Sequence, residues 1–241
     1  MASNDVTALW PGMCERLTPV FTQLYSPIEV GESIDQSTPV VCFQSALSEK
    51  PCYGPLIFVD TETSDFMDAD IIELGALSVS FDSLEDENVK LDYFWQLINP
   101  GEGTVLSHRA VKIHGITRNM LRMYGHPPQE TFQRFLDWSK SKSPDFFVAH
   151  NATFDRQMLK NSFTKYGINH KLSKFLCTMK MASNLSIENR KLGTVARHFN
   201  YINQQAHRSL TDAEVCAYIF AKMSLMGIAP KNRITKKLRS R

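Results

Sequence analysis

The chain has 241 residues, of which 43% are apolar and 22% charged, a length and balance that suit one sizeable globular domain with extensions and exclude wholesale disorder. The formal net charge of +2 says little about partners, and no segment approaches the roughly 20 apolar residues that a membrane-spanning helix needs. Five cysteines, odd in number and never spaced as C-x-x-C, favour free thiols over a zinc site or a disulfide framework.

Residues 1–53 form an N-terminal extension to which the sequence assigns no function. The extension carries six acidic and two basic residues, and prolines at positions 11, 19, 27 and 39 break any long helix. Val40 to Phe43 is a candidate short strand. The first residues lack the basic and apolar regions of a secretory signal, so we expect an intracellular protein that is not secreted and has no membrane partner. A protein partner that binds residues 1–53 stays an open interpretation.

Three strands are predicted next, beginning at Leu56. The first is the short apolar run Leu56 to Val59, which ends in Asp60. Ile71 to Ser80 and Tyr93 to Ile98 are rich in β-branched and aromatic residues, as strands are. The acidic stretch Asp82 to Glu87 between them is predicted to be a solvated hairpin loop. These three strands are expected to form an antiparallel meander.

Helices alternate with two further strands in the second half of the chain. Thr117 and Thr153 are predicted N-caps, and Gly167 and Gly227 are predicted helix stops. Helices are predicted over 107–114, 117–123, 128–140, 153–166, 191–200 and 208–226, and strands over 146–149 and 175–177. The order predicts an α/β fold with a mixed five-stranded sheet flanked by helices, in which the later strands cross over in parallel. The predicted domain spans residues 54–227.

Asp60 and Glu62 are the first candidate site residues. Side chains two positions apart on a strand share a face, and ionised carboxylates that share a face repel one another unless a cation lies between them. Two acids at the end of an apolar strand therefore suggest ligands for Mg²⁺ or Mn²⁺, which prefer carboxylate oxygen. A surface turn with two solvated acids is the alternative interpretation.

Three more candidates lie at the starts of helices. Asp155, in VAHNATFD, and Asp212, in HRSLTDAEV, occupy first turns, where a carboxylate is favourable in any protein. His207 precedes Asp212 by five residues, which is about 140° of helical rotation, so the two would not share a helical face. His207 is therefore predicted to lie on the preceding loop. Each of these signals alone is weak.

The order of the three motifs, D-x-E, H-N-x-x-F-D and H-x-x-x-x-D, resembles that of the DEDDh family of 3′–5′ exonucleases. This family has a ribonuclease H-like fold and includes the proofreading exonucleases of bacterial polymerases, RNase T and oligoribonuclease. The linking stretches IIELGAL, INPGEGTVLSHRAVKIHGITRNML and KLGTVARHF match as well. The resemblance runs from about Leu56 to Met226.

The resemblance implies a metal-dependent hydrolase with two Mg²⁺ or Mn²⁺ ions per active site. Asp60 would bridge the ions, Glu62 and Asp212 would complete the tighter site, and Asp155 would support the second ion. His207 would be the general base. The products would be nucleoside 5′-monophosphates, and single-stranded 3′ ends would be the preferred substrate because duplex ends must fray first.

The resemblance also implies substrate contacts, although the choice between DNA and RNA stays open. Thr61 and Thr63 would offer backbone contacts to the terminal nucleotide. Asn151 would offer a polar contact, and Phe154 would form an apolar wall for the base. One departure is that Ser64-Asp65 replaces the Thr-Gly common in relatives. Because Asp tolerates a left-handed backbone, the turn is expected to survive.

Two other functions are compatible with the sequence. A proofreading subunit bound to a polymerase is one, and a catalytically idle nucleic-acid-binding module is the other, although an idle module is expected to have lost at least one of the five site residues. The segment 228–241 is predicted to be a basic tail, with six basic residues and no acid among residues 231–241. Such a tail can bind phosphate, act as a nuclear address or be merely solvated, so both cytoplasm and nucleus stay open.

Overall fold

A mixed five-stranded sheet forms the centre of the computed structural model, which describes residues 55–66, 69–81, 89–170, 172, 174–203 and 205–228. The strands lie in the order β3-β2-β1-β4-β5. They are β1 Leu56–Thr63, β2 Ile71–Phe81, β3 Val89–Leu97, β4 Phe146–Ala149 and β5 Lys174–Cys177. The first three are antiparallel neighbours, whereas β4 pairs in parallel with both β1 and β5. The predicted fold class and meander are confirmed.

The helices follow the predicted order, with two additions. They are α1 His108–His114, α2 Arg118–Tyr124, α3 Pro128–Ser141, α4 Ala152–Lys165, α5 Thr178–Met181, α6 Leu192–His198 and α7 Ser209–Leu225, with a 3₁₀ turn at Ala182–Asn184. Neither α5 nor the 3₁₀ turn was predicted, because segments of four and three residues are too short to show a helical period.

The predicted helix ends are confirmed at three positions and wrong at one. Thr117 caps α2 by accepting a hydrogen bond from the backbone of Met120. Gly167 and Gly227 have the left-handed backbone predicted for helix stops, with φ of 67° and 71°. Thr153 does not cap α4, because Asn151 occupies the N-cap and Thr153 lies inside the first turn.

Helices cover both faces of the sheet. One apolar core lies between the sheet and α7, with α5 and α6 beside it. The second lies between the opposite face and the helices α3 and α4. Phe58 on β1 packs edge-on against Phe220 of α7, with ring centroids 5.5 Å apart. Burial of both faces explains why the first half of β1, most of β2 and all of β4 are apolar.

Several predictions fall outside the described residues. These are the strand at Val40 to Phe43, the hairpin loop at Asp82 to Glu87, and nearly all of the two terminal extensions, so the predicted division of the chain stays a prediction. Cys177 and Cys216 are free thiols, as expected.

Gly75 on β2 allows the start of α7 to touch the sheet. A Cβ built at Gly75 would lie 2.3 Å from the backbone nitrogen of Leu210. Overpacking usually costs roughly 1–3 kcal/mol. Because the backbone of Leu210 cannot move aside as a side chain can, we expect Gly75→Ala to lower the free energy of unfolding by this amount or more. Chemical denaturation would measure the change.

Gly193→Ala is the matched control for that experiment. A Cβ at Gly193 would meet nothing closer than Arg197 Nη1 at 3.9 Å. Because alanine also favours helix, this change should be neutral or should stabilise by about 0.5–1 kcal/mol. Equal stability of the two variants would show that α7 does not depend on this close approach.

Candidate active site

The alternation of β1 aims Asp60 and Glu62 at α7. Leu56 and Phe58 belong to the core under α7, whereas Ile57 and Val59 belong to the opposite core. Asp60 and Glu62 continue the first series, because side chains on a strand alternate between faces. Both are half-buried at the carboxyl end of the strand. The prediction that these two acids share a face is confirmed.

Asp155 reaches the same strand end from the other side of the sheet. It lies in the first turn of α4, directly after β4, and is only 3% exposed. Its Oδ1 accepts two hydrogen bonds from Thr61, one from the backbone N–H at 3.1 Å and one from the hydroxyl at 3.0 Å. These bonds hold the Asp155 carboxylate beside the backbone that carries Asp60.

Asp212 and His207 are joined by the backbone that precedes α7. Asp212 lies in the first turn of α7, where its Oδ2 accepts a hydrogen bond from the His207 backbone N–H at 3.0 Å. Its Oδ1 accepts one from Asn203 Nδ2 at 2.6 Å. His207 lies on the loop, as predicted, with an exposed side chain and a φ of 64°.

Three of the predicted residues bring ligand atoms together. One oxygen of Glu62, one of Asp212 and one ring nitrogen of His207 all lie within 4.8 Å of one another. This group joins the end of β1 to the start of α7. Asp60 and Asp155 lie beside it, and their charges act on the same carboxylates.

Burial and mutual repulsion make these carboxyl groups hard to ionise. Burial, together with the charges of Asp155 and Asp212, holds the pKa of Asp60 well above its usual range. Burial, followed by the charge of Glu73, raises the pKa of Glu62 to about 8. Burial raises the pKa of Asp155 and that of Asp212 to about 7, against the hydrogen bonds that each accepts. A divalent cation would relieve this repulsion.

These shifts predict how the stability of the metal-free protein depends on pH. The folded pKa values lie above the unfolded values of about 4. At pH values between the two, the native state therefore binds more protons than the unfolded state. The cluster therefore destabilises the fold progressively as pH rises from about 4 to about 8. In Glu62→Gln, melting temperatures measured across this range should fall less steeply than in the wild type.

Divalent cations should reverse the trend. They bind the ionised form, so Mn²⁺ should raise the wild-type melting temperature more at pH 8 than at pH 6. Glu130→Gln, at an exposed acid on α3, should keep the wild-type pH dependence. A Glu62→Gln variant with the same metal-free pH dependence as the wild type would contradict the strained cluster.

The residues predicted to contact substrate lie on β1 and at the start of α4, close in sequence to Asp60, Glu62 and Asp155. Asn151 is exposed, and its side chain makes no capping hydrogen bond. Phe154 is half-buried in the first turn of α4. Thr61 is buried and donates to Asp155, while the Thr63 hydroxyl donates to the Asp65 carbonyl at 2.7 Å. The role of these residues in substrate binding stays a prediction.

The Ser64-Asp65 turn forms without a left-handed residue. Among the described non-glycine residues, positive φ occurs at Ser143, Asn200 and His207. Asp65 Oδ1 instead accepts the backbone N–H of Phe66 at 2.7 Å. The chain bends at residues 64–66 with this local hydrogen bond, and the left-handed backbone that was expected at Asp65 is not present.

Sequence reasoning missed two residues that hold the site together. Asn203 fixes the Asp212 carboxylate, yet its loop shows no period or motif. Glu73 is fully buried in β2 and pairs with Arg208. A single glutamate inside the apolar run IIELGAL was a signal, but its partner lies 135 positions away.

Comparison with known proteins identifies the family. A family model described as Exonuclease matches residues 57–220, which is most of the chain. The chain belongs to this exonuclease family. The acidic cluster of the exonuclease lies wholly within the matched residues, and members of the family depend on divalent metal ions.

Curated relatives of the exonuclease are much longer proteins. The PolC-type DNA polymerase III of Listeria monocytogenes is 32% identical over 161 residues, which is 63% of this chain and 11% of the polymerase. That of Caldanaerobacter subterraneus is 30% identical over 200 residues, which is 80% of this chain and 13% of the polymerase. The exonuclease thus spans about an eighth or less of the length of these relatives.

Solved structures share the fold. The nuclease domain of 3′hExo, a DEDDh family member bound to rAMP, superposes with a TM-score of 0.61 at 19% identity, covering 75% of this chain and 96% of that one. Escherichia coli exonuclease I in complex with a dT13 oligonucleotide gives 0.58 at 15% identity, covering 70% and 40%. The family model thus shows an exonuclease domain, and these structures show that it shares their fold. None of the described helices has the length and apolar character to cross a membrane.

Proposed function

We propose that this exonuclease removes nucleotides one at a time from single-stranded 3′ ends of DNA or RNA and releases nucleoside 5′-monophosphates. The observation that carries the proposal is the site itself. Carboxylates from β1, α4 and α7 converge at one end of the sheet, and an exposed histidine stands beside Glu62 and Asp212. Without cations such a cluster destabilises the fold, and strongly shifted pKa values of this kind are typical of functional sites.

The donor set fits Mg²⁺ or Mn²⁺. The residues that would hold the ions are Asp60, Glu62, Asp155 and Asp212. All four offer carboxylate oxygen, the donor that hard divalent ions prefer. The Cys216 thiol on α7 is buried and forms a hydrogen bond with Thr178. We propose two ions per site. When bound, they would offset the charge of the phosphodiester and supply the Lewis acidity that phosphodiester hydrolysis needs.

His207 is proposed to be the general base. A histidine imidazole can accept a proton, which suits the removal of a proton from an attacking water. The backbone of His207 is held by Asp212, but its imidazole is exposed and can turn towards substrate. The residue thus combines a fixed attachment with a mobile ring.

The proposed substrate contacts come from the two elements that carry Asp60, Glu62 and Asp155. The exposed amide of Asn151 can hydrogen-bond to the terminal nucleotide, and Phe154 can pack against its base. The backbone at Thr61 and Thr63 lies beside the acidic residues of β1. Because the Thr61 N–H already donates to Asp155, we propose that the backbone carbonyl groups of Thr61 and Thr63 contact the nucleotide.

A comparison of matched substrates tests the proposal. Single-stranded DNA and RNA of one sequence, each labelled at the 3′ or the 5′ end, would be incubated with Mg²⁺ or Mn²⁺. The 3′ label should appear at once as a mononucleotide, whereas the 5′ label should pass through a ladder of shortening products. The ratio of the DNA and RNA rates identifies the preferred sugar. Early release of a 5′-terminal mononucleotide, or of internal fragments, would contradict the proposal.

A proofreading role beside a polymerase is the second candidate. The observation that favours it is the match to PolC-type polymerases in organisms such as Listeria monocytogenes. Proofreading predicts a polymerase that co-purifies with the tagged full chain, and faster cleavage of a mismatched than of a paired primer end. Equal rates on the two ends, with no polymerase recovered, would exclude this role.

A further inference from the structure

Glu73 is the one described glutamate with no exposed surface, although it lies beside an acidic cluster. A buried carboxylate is costly unless hydrogen bonds and an opposite charge satisfy it. Trp95 Nε1 donates to Oε1 at 2.9 Å, and the Ser209 backbone N–H donates to Oε2 at 2.9 Å. Arg208 donates to Oε1 through Nε at 3.0 Å and also through Nη2. Both oxygens are thus occupied by protein donors, which leaves Glu73 unsuited to bind metal.

These donors include the two residues that directly follow His207. The backbone of His207 donates to Asp212 on one side, and Arg208 and Ser209 bond to Glu73 on the other. The left-handed φ of His207 costs free energy in a non-glycine residue and persists only where the surroundings impose it. The hydrogen bond to Asp212 on one side and the Glu73 contacts on the other supply that constraint.

The contacts of Glu73 also connect the loop that carries His207 to β1, the strand that carries Asp60 and Glu62. Glu73 is the direct cross-strand partner of Glu62 in the antiparallel pair of β1 and β2. Two residues further along β2, Gly75 allows the backbone of Leu210 to rest on the sheet. The start of α7 is therefore set against the strand that neighbours β1.

We propose that Glu73 is a positioning residue for His207. Its carboxylate holds Arg208 and Ser209, and so sets the backbone from which the imidazole reaches the space beside Glu62 and Asp212. The catalytic part of this inference rests on the proposed function. A displacement of about 1 Å in a catalytic group can cost on the order of 10²-fold in rate, so loss of the anchor should be felt in turnover.

Glu73→Gln tests the anchor, because glutamine keeps the shape but removes the charge that pairs with Arg208. At saturating Mn²⁺ and substrate, kcat should fall about 10–10²-fold while KM stays within about threefold. In the metal-free protein, amide exchange at His207 and Ser209 should become faster, while exchange in β4 stays unchanged. Arg208→Lys keeps the charge but loses the two-pronged contact, so it should change both readouts in the same direction by less.

A double-mutant cycle separates positioning from general loss of structure. In a His207→Ala background, Glu73→Gln should lower kcat by less than about threefold, because the residue it positions is already gone. Leu136→Ala, in the core on the other face, should lower the melting temperature but leave kcat per folded molecule unchanged.

If the two rate effects multiply in full, or if exchange at His207 and Ser209 is unchanged in both anchor variants, the inference is wrong. If the wild type lacks nuclease activity, the proposed function fails, and the exchange measurements alone then decide whether Glu73 anchors the loop.

Discussion

Replacing His207 with alanine should lower the rate of nucleotide release by about 10²–10⁴-fold, the usual contribution of a positioned general base. The four carboxylates stay in place, so binding of Mn²⁺ and of a single-stranded oligonucleotide should persist. The backbone N–H that Asp212 accepts is also retained in alanine. Release of mononucleotides from a 3′-labelled single strand at saturating Mn²⁺ would measure the loss.

His198→Ala is the matched control for His207→Ala. His198 is also an exposed histidine, at the end of α6, where its ring lies against Phe199. Its replacement should leave the rate unchanged. The competing explanation for His207 is a structural role at the start of α7. In that case His207→Ala would lower the melting temperature while turnover per folded molecule stayed intact, and the assignment of the base would be wrong.

Asp212→Asn should fail differently, because it removes a negative ligand. Cleavage should be abolished, and metal affinity should fall by more than the roughly 10–100-fold that loss of an outer hydrogen-bond partner costs a metal site. Without metal, the variant should be at least as stable as the wild type at pH 8, since one repelling charge is gone and burial no longer penalises it. Melting curves with and without Mn²⁺ measure both effects.

Asp137→Asn controls for the change from carboxylate to amide. Asp137 is exposed on α3 and accepts a hydrogen bond from Gln133. This variant should keep the wild-type rate and the full stabilisation by Mn²⁺. An Asp212→Asn protein that is still stabilised by Mn²⁺ as strongly as the wild type would show that Asp212 is not a ligand.

The sequence predicted the site residues whose placement follows from local periodicity. Asp60 and Glu62 share a face because side chains alternate along a strand, and the apolar run before them located that strand. Asp155 and Asp212 were placed at helix starts, and the structure has them in first turns. His207 was predicted on the loop before the last helix because five residues of helical rotation would turn it away from Asp212.

Contacts between distant segments could not be predicted in this way. Nothing in the spacing of IIELGAL shows that Glu73 pairs with Arg208, because the pair depends on how α7 packs across β2. The same is true of the Thr61 hydrogen bonds that hold Asp155, which join residues 94 positions apart. The error at Thr153 arose because Asn151 and Thr153 are both good capping residues, and propensity alone does not choose between them.

The exchange of Thr-Gly for Ser64-Asp65 shows the same limit at a single turn. The sequence indicated that the chain would turn here, yet the hydrogen bonds that hold the turn come partly from residues outside it. Ser64 is buried, its hydroxyl accepts the Asp70 backbone N–H at 3.1 Å, and its carbonyl accepts that of Ser107 at 2.9 Å. These contacts tie the turn to its surroundings without a glycine.

The dependence of cleavage on divalent metal tests the central claim most directly. Release of mononucleotides from a 3′-labelled single strand would be followed in excess EDTA and again after Mg²⁺ or Mn²⁺ is added beyond the chelator. The clustered carboxylates predict no release in EDTA and recovery with either ion, whereas Ca²⁺ should support binding with little turnover. Undiminished release in EDTA would contradict the metal-dependent site.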